Sequence, residues 1–376
     1  MIYYLGYYKS KNVDDFSKSG SNAASFKMGY IIRSVKRLGK KINVISWCPS
    51  DKFGRIPLRE IKVDENQIET YLPSFRIKKM PMRVTAFFRN REIYKYFLKN
   101  VKREDTVIVY HATSISKPLL KAKKKIGFNL VLEVEEIYYV DEKIKNPKKA
   151  QKIEESVIGQ ADSFIIVNDL IYGKYIKNGK PFSVVYGVYD GKEFDFDKCG
   201  KDKKTKLLFS GSIDKVRGAE LAVETAKYLS ENYELHISGA GAPNFVSEIV
   251  RKIEKHNQLS EECKIVYHGQ LSEDKLDELA LSCDIGLNLQ DVNNPFEGVS
   301  FPSKITFYLQ HGLSVVSTKM SSVLSSKLVG EVSLCEYSGE GVAKAVQSVN
   351  LKEKKENACV MKELDERFIE NLKNLL

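Results

Sequence analysis

Three stretches in the second half of the chain place cations, glycines and a carboxylate where strands hand over to helices, which is where open α/β sheets hold their ligands. In FSGSIDKVRGAE (209–220), Gly211 ends a strand, Gly218 opens a helix, and Lys215 and Arg217 lie between them. A helix start offers free N–H groups and partial positive charge, and a guanidinium beside it makes a diphosphate site. The same glycines would equally serve a tight turn with solvated cations. ISGAGAPN (237–244) supplies Gly239 and Gly241, which allow a ligand or a facing backbone to come close. NLQDVNNPFEGVSFPSKITFYLQHGLSVVST (288–318) runs a long polar loop into a helix opening at Pro302 or Ser303, with Ser303 and Lys304 at its start. A lysine there opposes the helix dipole by a few tenths of a kcal/mol, roughly, which points to an anion nearby.

The first half offers fewer groups. His111 ends the strand-like DTVIVYH, and Glu135 with Glu136 follows the apolar NLVLEV. His111 fits either a hydrogen-bonded strand end or a group facing the ligand. The two glutamates fit either a surface pair or a cleft in which like charges raise one pKa and a hydroxyl is bound. The six cysteines (Cys48, Cys199, Cys263, Cys283, Cys335, Cys359) form no CxxC or CxH cluster, so neither a zinc site nor a disulfide framework is expected, and no metal.

Positioning these groups takes a scaffold, and the pattern supplies one twice. IYYLGYY, a helix near 24–38 stopped by Gly39, and KINVISW form a βαβ unit; DTVIVYH, FNLVLEVEEIY and SFIIVN follow, separated by helices near 114–126 and 147–159. Short, fully apolar strands alternating with helices predict a doubly wound parallel sheet. DFDKCGKDKKTK (195–206) is charged and without periodicity, as a linker would be, and a second alternation follows it. The strands of that second set are predicted near 206–211, 233–239, 263–269, 283–289 and 314–318, and the helices near 218–230, 244–257, 273–282 and 303–311. The expected division is therefore a domain at 1–194, a linker at 195–206, a domain at 207–355 and a terminal helix at 356–376 packing back toward the first domain. A length of 376 residues suits two domains. No apolar run reaches the roughly 18 residues of a membrane span, and MIYYLGYYKS lacks a basic n-region, so a cytoplasmic protein is expected.

Charge is uneven. Residues 1–200 hold 38 Lys and Arg against 23 Asp and Glu, and the rest 22 against 26. Within 71–130 the count is 15 basic to 3 acidic, a surplus larger than the +11 of the whole chain, which implies a polyanionic partner. RIKKMPMRVTAFFRNREIYKYFLKNVKR (76–103) predicts a helix from about Val84, with Val84, Phe87, Phe88, Tyr94, Phe97, Leu98 and Val101 on one face. Such a helix suits an anionic membrane surface, or packs into a core with its basic face solvated. No nucleic-acid-binding motif accompanies the charge, so no nucleic-acid partner is expected.

The second half resembles the donor-binding domain of GT-B fold glycosyltransferases, and is most similar to family 4, the retaining enzymes of bacterial lipopolysaccharide and capsule synthesis. FSGSIDKVRGAE, ISGAGAP, IVYHGQLSEDKL and EGVSFPSKITFYLQHGLSVVST match four of its motifs in order, over most of residues 205–320. SGSNAASFKMGYIIRSVKRLGKKINVIS (19–46), VYHATSIS and VLEVEEIY are similar to first-domain segments facing the cleft. The resemblance implies an α/β GT-B fold: two Rossmann-like βαβ domains in tandem with an interdomain cleft. It implies a nucleotide-sugar donor on the C-terminal domain, contacted by Gly211, Ser212, Arg217, Gly218, Gly239, Gly241, Gly269, Gly298, Ser303 and Lys304. It also implies an acceptor on the N-terminal domain and catalytic roles for His111, Glu135, Glu136 and Glu297. No cofactor or metal is implied. Where the family places Arg and Lys on the diphosphate, this chain has Ser212 and Arg217, and Phe307 replaces a ribose-contacting Glu. With the basic segment, the expected activity is transfer from a nucleoside-diphosphate sugar to a lipid-linked saccharide, at the inner face of the cytoplasmic membrane as a peripheral protein. An inverting transferase or epimerase using Glu135 or Glu136, or an inactive nucleotide-sugar-binding subunit, are the alternatives.

Overall fold

The structure is a computed structural model that describes residues 1–10, 22–47, 54–76, 81–141, 144, 146–177, 179–190, 194–196 and 204–376. Cys48, Cys199, much of the polar loop after β1, residues 77–80 of the basic segment and 197–203 of the expected linker lie outside the described residues.

The chain divides into two units. The first comprises residues 1–167, 171–185 and 366–376; the second comprises 168–170 and 186–365. The first contains β1 (Ile2–Gly6), α1 (Asn22–Arg37), β2 (Ile42–Ser46), β3 (Gly54–Ile56), β4 (Arg59–Lys62), β5 (Gln67–Tyr71), β6 (Ser74–Arg76), α2 (Met82–Asn100), β7 (Thr106–Tyr110), α3 (Thr113–Ile126), β8 (Asn129–Val134), α4 (Pro147–Gln160) and β9 (Ser163–Ile166). The turn α5 (Asp169–Ile171) and β10 (Phe182–Val184) follow. Eight strands form one sheet in the order β10-β9-β8-β7-β1-β2-β5-β4, parallel except for β4 against β5, and β3 pairs with β6 separately. The parallel strands β1 and β2 are buried along their whole length, as strands covered on both faces must be. α4 begins at Pro147 under an Asn146 cap that accepts from the Lys149 N–H, and α3 ends on Gly127 in the left-handed region. The strands of residues 54–76 escape the sequence reading because they are short and mostly charged or polar.

The second unit contains β11 (Thr205–Ser210), α6 (Ala219–Thr225), β12 (Tyr233–Ser238), α7 (Pro243–Leu259), β13 (Lys264–Tyr267), α8 (Glu273–Ser282), β14 (Ile285–Asn288), α9 (Lys304–Gln310), β15 (Ser314–Thr318), α10 (Ser321–Leu324), β16 (Val332–Cys335), α11 (Gly339–Ser348) and α12 (Lys354–Leu375). Its six strands are all parallel, in the order β13-β12-β11-β14-β15-β16. Leu207, Phe209, Leu235, Ile237, Ile285, Leu287 and Val316 of the sheet meet Leu221, Ala222, Ile249, Ile253, Val342 and Val346 of the helices in one buried core.

The division falls at Val185/Tyr186 rather than at 195–206. Tyr186 accounts for this. Its hydroxyl donates to Asp169 at 2.7 Å and accepts from the Lys327 N–H at 2.9 Å, and Gly187 lies against Thr306, so the chain belongs to the second unit before the charged stretch begins. α12 starts in the second unit, where Asn357 donates to the Gly312 carbonyl at 3.1 Å, and its last turns group with the first, where Phe368 packs on Tyr30. Among the described residues no helix is long and apolar enough to cross a membrane.

Candidate active site

In the second sheet the strand order reverses between β11 and β14, and a crevice opens at such a point beyond the carboxyl ends of the strands. The loop after β11 carries Arg217, whose guanidinium donates to Gln290 Oε1, in the loop after β14, at 3.4 Å. Lys304, at the start of α9, reaches back over β11: its nitrogen stands 3.8 Å from the centroid of the Phe209 ring, and its stem lies where a Cβ on Gly211 would be. The stem is half-buried, but the nitrogen is shielded from solvent and has no hydrogen-bond partner. Burial first, and the Arg217 charge second, lower the Lys304 pKa to about 7, with Asp214 opposing. Two cations thus act on each other beside a glycine turn, and among the described residues the Lys304 nitrogen has no acceptor.

The glycines sort into two kinds. A Cβ on Gly239 would overlap the Gly211 carbonyl oxygen, one on Gly241 the Ile213 carbonyl oxygen, and one on Gly218 the Leu289 carbonyl oxygen. These three let neighbouring strand-end loops touch, and the Gly211 and Ile213 N–H groups bond the Ser238 and Ala240 carbonyls at 2.9 Å each. For Gly239 and Gly241 the close partner is therefore facing backbone. Gly211 (φ +123°) and Gly269 (φ +66°) are in the left-handed region for the turn itself, and Gly269 faces open space. Gly298, at φ +74°, lies against the Ser321 hydroxyl.

Ser212 and Ser303 are exposed, and Ser303 makes no side-chain cap. α6 and α9 are only seven residues each, so any dipole at Gly218 or Ser303 is short. Glu297 Oε1 accepts from the Ser321 N–H at 2.5 Å, holding the start of α10. Phe307 stacks with His311 (ring centroids 4.2 Å apart), which also meets Phe194 and bonds Asp277 at 2.9 Å. Sequence reasoning missed Gln290 and Tyr308. Tyr308 is fully buried under Gly286; its hydroxyl accepts from the Ser210 N–H at 3.0 Å and lies 3.2 Å from the Leu287 carbonyl, pinning α9 across β11 and β14. A tyrosine four residues after Lys304, on the same helix face, was the available signal.

In the first unit the reversal lies between β1 and β7. His111 follows β7 and has no exposed surface; Nδ1 is 3.2 Å from the Glu136 carbonyl and Nε2 is 3.4 Å from Glu154 Oε1. Burial lowers its pKa to about 4, so the imidazole is neutral, while burial raises that of Glu154 to about 7 against two bonds from the Tyr138 and Tyr139 N–H groups. This is the arrangement of a histidine bonded at a strand end. Glu135 and Glu136 are half-buried, and Glu135 lies 3.5 Å from the Lys27 ammonium, which also donates to the Val185 carbonyl at 2.7 Å. The carboxylate that sequence reasoning missed is Glu133. It is fully buried, bonded by the Tyr4 hydroxyl, and pushed well above the usual range by burial and by the Glu135 charge. Its place inside NLVLEV was the signal, since a strand covered on both faces buries every side chain.

The basic helix differs from the expected single apolar face. α2 buries Ile93, Tyr96 and Phe97, and Val101 is buried just beyond it, but Met82, Val84, Phe87 and Leu98 are exposed, with Met82 at 87% and Phe87 at 65%. The C-terminal half packs, Phe97 on Phe128 and Tyr96 through its hydroxyl with Asn43. In the first turns Phe88 meets Phe75 of β6, with ring centroids 6.1 Å apart, while Met82, Val84 and Phe87 stay exposed.

Comparison of the sequence with protein-family models and with curated proteins finds no match. The structure, by contrast, is similar over nearly its whole length to solved glycosyltransferases. A Burkholderia xenovorans α,α-trehalose-phosphate synthase (UDP-forming), in complex with glucose-6-phosphate, superposes with TM-score 0.68 at 9% identity, covering 100% of this chain and 99% of that one. The E. coli trehalose-6-phosphate protein bound with UDP-2-fluoro glucose gives 0.67 at 8% identity, over 98% and 95%. Anabaena HepE in complex with UDP and glucose gives 0.60 at 10% identity, over 99% of each chain. With two parallel sheets of Rossmann type in tandem and this likeness across both, the chain has the GT-B fold.

Proposed function

We propose that the protein is a glycosyltransferase that moves a sugar, with retention, from a nucleoside-diphosphate sugar bound on the second unit. The observation that carries this reading is the pair Lys304 and Arg217 over the Gly211 turn at the sheet's switch point, one of them a shielded ammonium without a partner. A diphosphate is the ligand that such a pair serves, and preorganised cations stabilise most where charge develops as the sugar leaves. In the retaining mechanism implied by the family-4 resemblance, a leaving phosphate oxygen accepts the acceptor's proton, so the chain supplies positioning and charge more than a strong base. Gly211, Gly269 and Gly298 shape the donor loops, with Ser212 and Ser303 exposed beside them, and Glu297 stands next to the sugar end. Structural neighbours solved with UDP, UDP-2-fluoro glucose and glucose support a uridine nucleotide as the first donor to try.

For the acceptor we favour a lipid-linked saccharide in surface-polysaccharide synthesis over a soluble sugar phosphate. The support is the exposed Met82, Val84 and Phe87 set among Arg83, Arg91, Lys95 and Lys99, an apolar and cationic edge that suits an anionic bilayer. Glu135 and Lys27 are the first-unit groups proposed to meet the acceptor.

Calorimetry with UDP, GDP, ADP and CDP tests the donor reading. One of them should bind, and Arg217→Ala and Lys304→Ala should each weaken it by about 1.5 to 3 kcal/mol while leaving the nucleoside little changed. Failure of all four to bind removes the donor site. Anomer analysis of the product separates retention from inversion.

A further inference from the structure

Lys304 has an unusual electrostatic position even for a phosphate-binding lysine. An ammonium carries three donors and in water engages all of them. Here the nitrogen has a ring face at 3.8 Å, no hydrogen-bond acceptor and no solvent. The charged groups that act on it come from the loop after β11. After β11 stand Arg217 and Asp214, and Asp214 Oδ1 is engaged by the Arg217 N–H at 2.8 Å. The loop after β14 carries two more carboxylates, each engaged elsewhere: Asp291 Oδ1 accepts from the Asn293 N–H at 2.9 Å and Glu297 Oε1 from the Ser321 N–H at 2.5 Å. β11 contributes Phe209, and Gly211 follows it, neither charged. The shielded Lys304 nitrogen therefore lies under the influence of a second cation, and Asp214, the carboxylate that offsets it, is already drawn to a backbone N–H. A guanidinium does not give up its proton; a lysine does.

We infer that binding of the nucleoside diphosphate is coupled to the uptake of one proton by Lys304, whose nitrogen the free chain shields from solvent and gives no hydrogen-bond acceptor. The inference rests on the donor site proposed above and adds to it. The free-state pKa of about 7, lowered by burial and by Arg217, agrees with the geometry. The diphosphate supplies the missing acceptors and negative charge, which raise the pKa in the complex, and the solvent buffer supplies the proton. Between the two pKa values the complex holds more protons than the free chain, so affinity falls as pH rises through and above about 7, by up to about tenfold per unit.

The test is calorimetry at pH 8.0 in HEPES and in Tris, whose ionisation enthalpies differ, using whichever of UDP, GDP, ADP and CDP binds most tightly. At that pH the terminal phosphate of the ligand is already ionised. Wild type should take up a large fraction of one proton per ligand, about half or more. Lys304→Arg should bind within about tenfold of wild type with uptake near zero, because its charge is permanent. Arg217→Gln, which removes the repulsion, should bind more weakly and take up less than wild type. Wild-type uptake near zero, or uptake unchanged in Lys304→Arg, overturns the inference while leaving the donor site standing. No binding by any of the four nucleotides overturns both.

Discussion

Lys304 is held at a cost to the free chain. Its folded pKa of about 7 lies below the ordinary 10.5, so over that interval the unfolded chain binds more protons and stability rises with pH. Lys304→Met should therefore stabilise the free protein at pH 7, by about 1 to 3 kcal/mol, less than full burial of the charge would give because the stem still meets solvent. Urea titrations at pH 7 and pH 9.5 check this, and the gain should shrink at the higher pH. An equal gain at both would mean that the ammonium is not penalised. His111 makes the opposite case. Removing its buried ring in His111→Ala leaves Glu154 Oε1 and the Glu136 carbonyl without their neighbour and opens a cavity, for a loss of about 2 to 4 kcal/mol with donor affinity intact. An unchanged urea midpoint together with lost turnover would make it the catalytic group that its position in the sequence suggested.

At the scale of elements, the glycine loops and α2 each separate two kinds of position. Gly218→Ala, Gly239→Ala and Gly241→Ala drive a Cβ into a backbone oxygen, which cannot swing aside as a side chain can. Each should cost about 2 to 4 kcal/mol or prevent folding of the second unit. Gly269→Ala meets open space and should cost only about 1 kcal/mol for its left-handed backbone. Thermal melts of the four variants decide it, and equal losses would refute the distinction. In α2, Phe97→Ala should cost about 3 to 5 kcal/mol, because Phe97 is fully buried against Phe128. Met82→Ser with Phe87→Ser should leave stability within about 0.5 kcal/mol and reduce sedimentation with anionic vesicles. Vesicle binding unaffected by the pair would leave the exposed edge without the proposed role.

For the whole molecule, the two proposed partners belong to different units, and hydrogen exchange can read them separately. The nucleotide should slow exchange around 211–218, 289–291 and 303–305, where the loops of the second sheet carry Arg217, Gln290 and Lys304. Anionic vesicles should slow exchange in the first turns of α2, near 82–91. Vesicle protection confined to the second unit, or none at all, would argue for a soluble acceptor.

The pattern of the chain alone determined the tandem α/β architecture, because short, continuously apolar strands alternating with helices of period 3.6 are local properties that a parallel sheet covered on both faces demands. It also singled out Arg217 and Lys304 as candidates for the proposed donor site, since a lysine at a helix start and a cation between two glycines are anomalies visible without coordinates. Only the tertiary structure decided which glycines face backbone and which face open space, for that depends on what the neighbouring loop brings to within a bond length of a Cβ. It also moved the boundary to Tyr186, a residue whose two hydroxyl partners, Asp169 and Lys327, are far away in sequence. The buried Glu133 and Lys27 and the exposed Met82 and Phe87 of α2 belong to the same class. A charged side chain in a strand or an apolar one on a helix has one identity in the sequence, and what covers it is settled by packing across long separations.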